Sequence, residues 1–360
     1  MIRDMLICTV GTSLLGHHAN NTGKNPGKLV ATLCGFDPND RLCGAEVNSI
    51  TSILQKGYLV DRTRLVLLVS DTEDGALLGE VLKRYYLNRA NMWRFAEAES
   101  ISMVGLTDTD IRRFRSEGLR NLVREVAKNA RQFGSNRLVI NATGGYKAQI
   151  SFAGMIGQAL DIPVCYMFER FSEVIELPPQ PIALDLTFWL EHVDLFFQLA
   201  ADDADRNPAE KEPRFLSLVD EEKIDGQRII GLSAMGQLFH EGLSYRFTQQ
   251  RESLLPPPSN LKPSQKEIKY EDKNSNKHKG LSGWLERLRE KPYVKRVYTH
   301  YYNPNLPRKN CFRPSTTGKI DQVEGWYSDG KATTKFDLVT TASKEMQQKA
   351  VIADLIGMIP

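Results

Sequence analysis

No apolar run in this 360-residue chain approaches the roughly 20 residues needed to span a bilayer, so no membrane-spanning helix is expected. Cysteine is scarce: Cys8, Cys34, Cys43, Cys165 and Cys311 make five, an odd number with no Cys-x-x-Cys spacing. That excludes a disulfide framework, a zinc finger and a zinc ribbon, and points to reduced thiols in the cytoplasm. The first eleven residues hold a short apolar run and no small-residue cleavage site, so a buried strand is expected there rather than a signal peptide. Neither the Gly-x-Gly-x-x-Gly fingerprint nor the Gly-rich Lys-Ser/Thr loop of ATP sites occurs, and there is no internal repeat. The length suits two domains plus connecting elements.

The formal net charge of +3 conceals an asymmetry. Residues 1–261 carry 28 Lys and Arg against 33 Asp and Glu, whereas residues 262–360 carry 19 against 11. A basic C-terminal part on an acidic body is expected to meet a polyanion.

Four short apolar runs end in small polar residues: 5–10 before Gly11, 64–69 before Ser70-Asp71, 137–140 before Asn141, and 162–168. Such runs are the pattern of parallel strands buried on both faces. Between them, residues 46–56, 73–90, 110–133 and 146–160 carry apolar side chains at three- and four-residue spacing, as helices do. The alternation predicts an α/β domain with a mostly parallel sheet and right-handed crossovers. Residues 173–177 add a strand.

Two loops in this pattern stand out. Val10-Gly11-Thr12-Ser13 follows the first strand, and Asn141-Ala142-Thr143-Gly144-Gly145-Tyr146-Lys147 follows another and opens a helix. Both are expected at carboxyl ends of parallel strands, where open α/β sheets bind ligands. Glycine lets the backbone approach closely, helix N-termini favour phosphate, the hydroxyls of Thr12, Ser13 and Thr143 can donate, and Lys147 supplies a cation. Ser70, Asp71 and Glu73 end a further strand, where ligand contact and helix capping both remain open.

A strand ending Thr-Val-Gly-Thr-Ser and a later one ending Asn-Ala-Thr-Gly-Gly-Tyr-Lys resemble the two signature motifs of CARF domains, the Rossmann-fold sensors associated with CRISPR systems. The resemblance covers residues 1–180. It implies a homodimer with one shared pocket for a cyclic oligoadenylate, cyclic tetra-adenylate before cyclic hexa-adenylate. It places Gly11, Thr12, Ser13, Asn141, Thr143, Gly144, Gly145 and Lys147 at that ligand, with Ser70 and Asp71 as further contacts. Some CARF domains also cleave their ligand, a reaction for which Ser13 and Lys147 would be the candidates here.

Beyond residue 180, residues 183–200 predict a strongly apolar helix packed on the sensor or on a dimer mate, and 201–213 an acidic linker. Residues 214–247 suggest a small winged-helix-like module, with an Asp-Gly turn at 225–226 and a helix over 233–243. Together, residues 181–260 are read as a connector. Residues 251–280, with three successive prolines and a Lys/Asn/Ser-rich run, read as a mobile linker or loosely held helix. The basic domain, 261–360, is expected to hold helix 281–290, strands 294–302 and 311–314, a hairpin over 320–341 with an Asp-Gly turn, and helix 344–356.

This small basic α+β unit resembles the RelE toxin family in size, charge and strand order. The resemblance implies metal-independent cleavage of messenger RNA on ribosomes, by attack of a 2′-hydroxyl on the adjacent phosphate. Such chemistry needs a base, cations around the phosphate and an acid near the leaving oxygen. The candidates are Lys295, Arg296, His300, Arg308, Lys309, Arg313 and Lys335, with tyrosines to stack bases. Trp284 and Trp326 are read as core. No cofactor or metal is required.

Two other readings stand beside it: a ligand-responsive DNA-binding regulator acting through 214–247, and a metal-dependent nuclease. The latter needs Glu-x-Lys beside an acid-bearing strand, and Glu221–Lys223 and Glu267–Lys269 are two pairs with that spacing. The HEPN ribonuclease pattern, Arg then four to six residues then His, is absent.

Overall fold

The computed structural model describes all residues except 1–2, 23, 169–170, 180–183, 203, 205, 225–226, 273–274 and 360, and the side chains of 19–22, 224 and 227. It forms two compact units. The first comprises residues 1–184, 206–228 and 232–245, the second residues 185–205, 229–231 and 246–360. The stretch read as a connector, 181–260, is therefore shared between the two rather than forming a third body.

The first unit is built on a six-stranded sheet of order β3-β2-β1-β4-β5-β6. Its strands are β1 (Met5–Thr9), β2 (Arg64–Ser70), β3 (Glu97–Met103), β4 (Leu138–Asn141), β5 (Val164–Tyr166) and β6 (Ile175–Leu177). All pairings are parallel except that of β6 with β5. This is the expected Rossmann-like α/β arrangement. On β1, Leu6 and Cys8 pack on one face and Met5 and Ile7 on the other, all buried, which is why the strand reads as an unbroken apolar run.

Helices α1 (Ser13–Thr22), α2 (Pro26–Cys34), α3 (Gly44–Gln55) and α4 (Glu73–Leu87) precede β3. After β3 come a short helix α5 (Ile111–Arg113), a π-helical turn (Phe114–Gly118) and α6 (Leu119–Phe133), whose buried stripe includes Leu122, Val126 and Ala130. Helix α7 (Lys147–Leu160) follows β4. Sequence patterning missed α1, α2 and β3. The last is an edge strand, Glu-Ala-Glu-Ser-Ile-Ser-Met, mostly half-exposed and so without an apolar run.

The apolar segment 183–200 is two helices, α8 (Leu186–Glu191) and α9 (Val193–Ala200), broken at His192. They belong to the second unit, where Trp189 meets the ring of Phe247 at 5.9 Å. Strands β7 (Val219–Ile224) and β8 (Gln227–Leu232) form a two-stranded sheet, and α10 runs from Ala234 to Leu254, eleven residues past the predicted end at 243. The Asp-Gly turn assigned at 225–226 lies outside the described residues.

The second unit carries a five-stranded sheet of order β11-β12-β13-β10-β9. The strands are β9 (Glu267–Tyr270), β10 (Val294–Asn303), β11 (Cys311–Pro314), β12 (Gln322–Ser328) and β13 (Thr333–Thr340), flanked by α11 (Leu281–Arg289) and α12 (Glu345–Ile356). Strand β9 corrects the linker reading of 251–280: its residues pair in parallel with β10, Val297 opposite Ile268. The charged residues around β9 hide a strand with only one half-buried aliphatic side chain, Ile268. One face of this sheet is apolar, with Phe312, Val323, Phe336 and Leu338 buried beside Trp284. The other face is polar. Among the described residues, no helix is long and apolar enough to cross a membrane.

Candidate functional sites

In the first unit, the two glycine loops meet. Thr9 donates its hydroxyl to the carbonyl of Gly144 at 2.6 Å. A Cβ on Gly144 would stand 2.9 Å from the Gly11 nitrogen and 2.9 Å from the Thr9 carbonyl, so only glycine fits between these strand ends. Helices α1 and α7 begin at Ser13 and Lys147, so two helix N-termini open at the carboxyl edge of one sheet. Thr12, Ser13 and Lys147 are exposed there, and Gly145 is half-exposed at φ +100°.

Not every predicted contact faces outward. Asn141 is fully buried; its amide donates to Ser49 at 2.8 Å and its carbonyl accepts the Thr143 hydroxyl at 2.7 Å. Thr143 in turn accepts the Met167 amide at 3.0 Å. Asn141 and the Thr143 hydroxyl thus brace the loop from below. Ser70 is buried with its hydroxyl 2.8 Å from that of Thr72, and Thr72, not Ser70, caps α4 by accepting the Gly75 amide. Asp71 accepts the Gly105 amide at 3.0 Å and lies 3.8 Å from Arg113. The Gly11 amide is also committed: it donates to Glu46 Oε1 at 2.8 Å.

Glu46 was not among the sequence candidates. It sits in the first turn of α3, fully buried, and burial pushes its carboxyl above the ordinary glutamate value despite the Gly11 hydrogen bond. A lone glutamate in an apolar helix pattern, one residue ahead of Val47, was the available signal.

In the second unit, strand register gathers side chains on the polar face. Arg313, Glu324 and Asp337 stand opposite one another across β11, β12 and β13, and Trp326 stands opposite Lys335, which pairs with Tyr301 on β10. Arg313 donates to Glu324 Oε1 at 2.8 Å, and the Trp326 indole donates to the same oxygen at 2.6 Å. The Arg313 guanidinium lies 4.6 Å from the Trp326 ring centre, and the Lys335 ammonium 4.6 Å from it and 5.2 Å from that of Tyr301. His300 occupies the irregularity between Thr299 and Tyr301, a bulge that re-aims its side chain. Its Nε2 is 3.4 Å from Asp337 Oδ2. Burial pushes the Asp337 carboxyl above the usual aspartate value, and for Glu324 the donors outweigh burial and hold it low.

Of the seven basic candidates, His300, Arg313 and Lys335 come together here. Arg308 and Lys309 line, with Arg313, Trp326 and Phe197, a cavity of about 1070 Å³ beside this face. Arg296 stacks at 5.2 Å on Tyr298, which stands directly opposite Asp337. Lys295 lies apart, at the irregularity near the start of β10. Trp326, read as core, is half-buried on the polar face, while Trp284 is core. Glu267 and Lys269 are exposed on β9 opposite Arg296 and Tyr298, Lys269 pairs with Glu271 at 3.1 Å, and Glu221 is paired with Arg228 at 2.6 Å.

Residues 41–180 match the model of a CRISPR-associated protein family, Cas_APE2256. A search of the curated proteins found no match. Among solved structures, Can2 from Sulfobacillus thermosulfidooxidans in complex with cyclic tetra-adenylate aligns at 12% identity over 72% of this chain and 71% of that one, with a TM-score of 0.25. Protein VC1899 from Vibrio cholerae aligns at 8% identity over 94% of this chain and 77% of that one, with a TM-score of 0.24.

Proposed function

We propose that this chain is a cyclic oligoadenylate-activated ribonuclease of a type III CRISPR system. The first unit, as a homodimer, binds the ring, cyclic tetra-adenylate in the first instance. The second cuts messenger RNA at the ribosome without a metal, in the manner of RelE-like enzymes. The reading of the first unit is carried by one observation: residues 9–11 and 144–145 touch at a single sheet edge, where two helix N-termini and the exposed Lys147 meet. The CRISPR-associated family match over residues 41–180 supports it.

For the second unit, the cation- and aromatic-bearing polar face supports RNA chemistry. His300, oriented by Asp337, accepts the 2′-hydroxyl proton as the 2′-oxygen attacks phosphorus. Arg313 and Lys335 stabilise charge on the phosphoryl oxygens, and Arg308 or Lys309 stabilises the departing 5′-oxygen, which takes a proton from water, while His300 returns its own to solvent. The products are a 2′,3′-cyclic phosphate and a free 5′-hydroxyl. Activation is a two-state shift, so the ring binds the active state more tightly.

The test is cleavage of messenger RNA by the full-length chain, with and without ribosomes and rings of each size, in EDTA. Expected is ring-dependent, EDTA-resistant cleavage on ribosomes, lost in His300→Ala. Specific duplex DNA binding without cleavage would instead establish the regulator reading, and cleavage silenced by EDTA the metal-dependent one.

A further inference from the structure

Among the described residues, one set of three metal-ligating side chains brings its donor atoms within 4.8 Å of one another: His300, Glu324 and Asp337. We propose that these three bind a divalent transition cation of the zinc class. The site goes beyond the proposed cleavage reaction, which uses no metal.

Three observations carry it. First, Asp337, its side chain only 8% exposed, keeps one carboxylate oxygen, Oδ1, without a hydrogen-bond partner, although the hydroxyls of Ser315 and Tyr298 bear on the carboxylate. A buried carboxylate oxygen with no donor is costly unless a cation meets it. Second, Glu324 and Asp337 stand directly opposite each other on adjacent strands, where like charges repel, and Arg313 meets this pair from the Glu324 side only. Third, both donors to Glu324, Arg313 and Trp326, converge on Oε1. They hold the carboxylate in place as outer-shell partners do, leaving Oε2 for a cation.

One imidazole nitrogen and two carboxylate oxygens suit zinc better than magnesium, which favours an all-oxygen shell. Ligand atoms around tetrahedral zinc stand about 3.4 Å apart, so modest side-chain rotation closes the present spacing. Arg313 and Lys335 lie near and oppose a further positive charge, which weakens binding. A cation here occupies the His300 nitrogen, and if the cleavage reading above is right it acts as a brake on proton transfer.

The test is calorimetric titration of the full-length chain with zinc chloride, with cobalt(II) absorption as a second readout. Expected are one site per chain, cobalt bands without thiolate charge transfer, and affinity at least tenfold weaker in Asp337→Asn and in His300→Gln. His300 is exposed, so that second variant remains informative should Asp337→Asn misfold. No zinc binding by the wild-type chain, unchanged affinity in both variants, or a thiolate band from Cys311 or another cysteine would overturn the proposal. Because binding is read without RNA, a chain that binds zinc yet cleaves nothing refutes only the ribonuclease reading. One whose EDTA-resistant cleavage is unaffected by bound zinc refutes only the brake.

Discussion

Substituting Gly144 by alanine tests the meeting of the two strand ends. The added Cβ would contact Glu46 Oε1 and stand 2.9 Å from both the Gly11 nitrogen and the Thr9 carbonyl. Two of these neighbours are backbone atoms of the strand-end segment and the third is a buried carboxylate, so none is a flexible side-chain end that can move aside. Overpacking of this kind costs about 1–3 kcal/mol, and displacing Glu46 from the Gly11 amide puts the outcome near the upper end. Gly154 in the middle of α7 is the control: a Cβ there meets nothing within 4 Å. Gly154→Ala should therefore stabilise by about 0.5–1 kcal/mol through helix propensity. Since the chain has two units, a single global melting point would mix their transitions. Native-state hydrogen exchange of peptides covering 5–12 and 138–150 reads this edge alone. Gly144→Ala should raise exchange there by one to two orders of magnitude and weaken ring binding, while Gly154→Ala does neither. Wild-type exchange in Gly144→Ala would refute the packed-edge geometry.

Three other outcomes are expected. His240 is buried in α10 with its pKa lowered to about 3, by burial first and then by Arg131 and Arg124. Below pH 6.5 the unfolded chain takes up a proton that the folded one refuses, so stability falls by about 1.4 kcal/mol per pH unit toward pH 3. Hydrogen exchange in first-unit peptides at pH 7, 6 and 5 should show this slope, and His240→Gln should flatten it. Asp354, its side chain 7% exposed, accepts from Lys291 at 2.8 Å and Tyr293 at 2.6 Å and pairs with Arg251. Asp354→Asn strands the partly buried Lys291 and should cost about 3 kcal/mol in urea unfolding followed by second-unit probes. Lys335→Ala should leave folding intact and reduce the salt dependence of RNA binding by about 0.7 in log–log slope, as loss of one phosphate contact does.

The parallel sheet was legible because each of its central strands is buried on both faces and ends in small polar residues. Strand β3 was not, since an edge strand needs no apolar run, and β9 was masked by the lysines around it. At the first site, the glycines and Lys147 were legible as loop chemistry. Glu46 was not, because a helix periodicity shows which face is buried and not what a buried carboxylate touches. Asn141 illustrates the converse: the motif names it, but its position at a strand end turns its amide inward, to Ser49. In the basic domain, charge content was visible but side-chain grouping depends on register. The Asp329-Gly330 turn sets that register, placing Ser328 opposite Thr333 and hence Glu324 opposite Asp337. Two acids facing one another within a basic hairpin were thus available as a signal from the turn alone.

That pairing also explains why so many cations can share one sheet face. Arg313 and Lys335 would repel each other across a bare surface, and long side chains there would sample many rotamers. Glu324 fixes Arg313 through its guanidinium, and Trp326, bonded to the same carboxylate, presents its ring to both Arg313 and Lys335. The acids therefore hold the cations in place and lower the charge of the face, and on the proposed function a phosphate would meet donors whose rotamer entropy is already spent. The same reasoning sets an order on variants: Glu324→Gln, which keeps the shape and removes the charge, should impair RNA binding through loss of Arg313 order despite making the face more positive. If Glu324→Gln instead bound RNA more tightly, net charge rather than placement would govern the face, and the preorganised site would have to be abandoned.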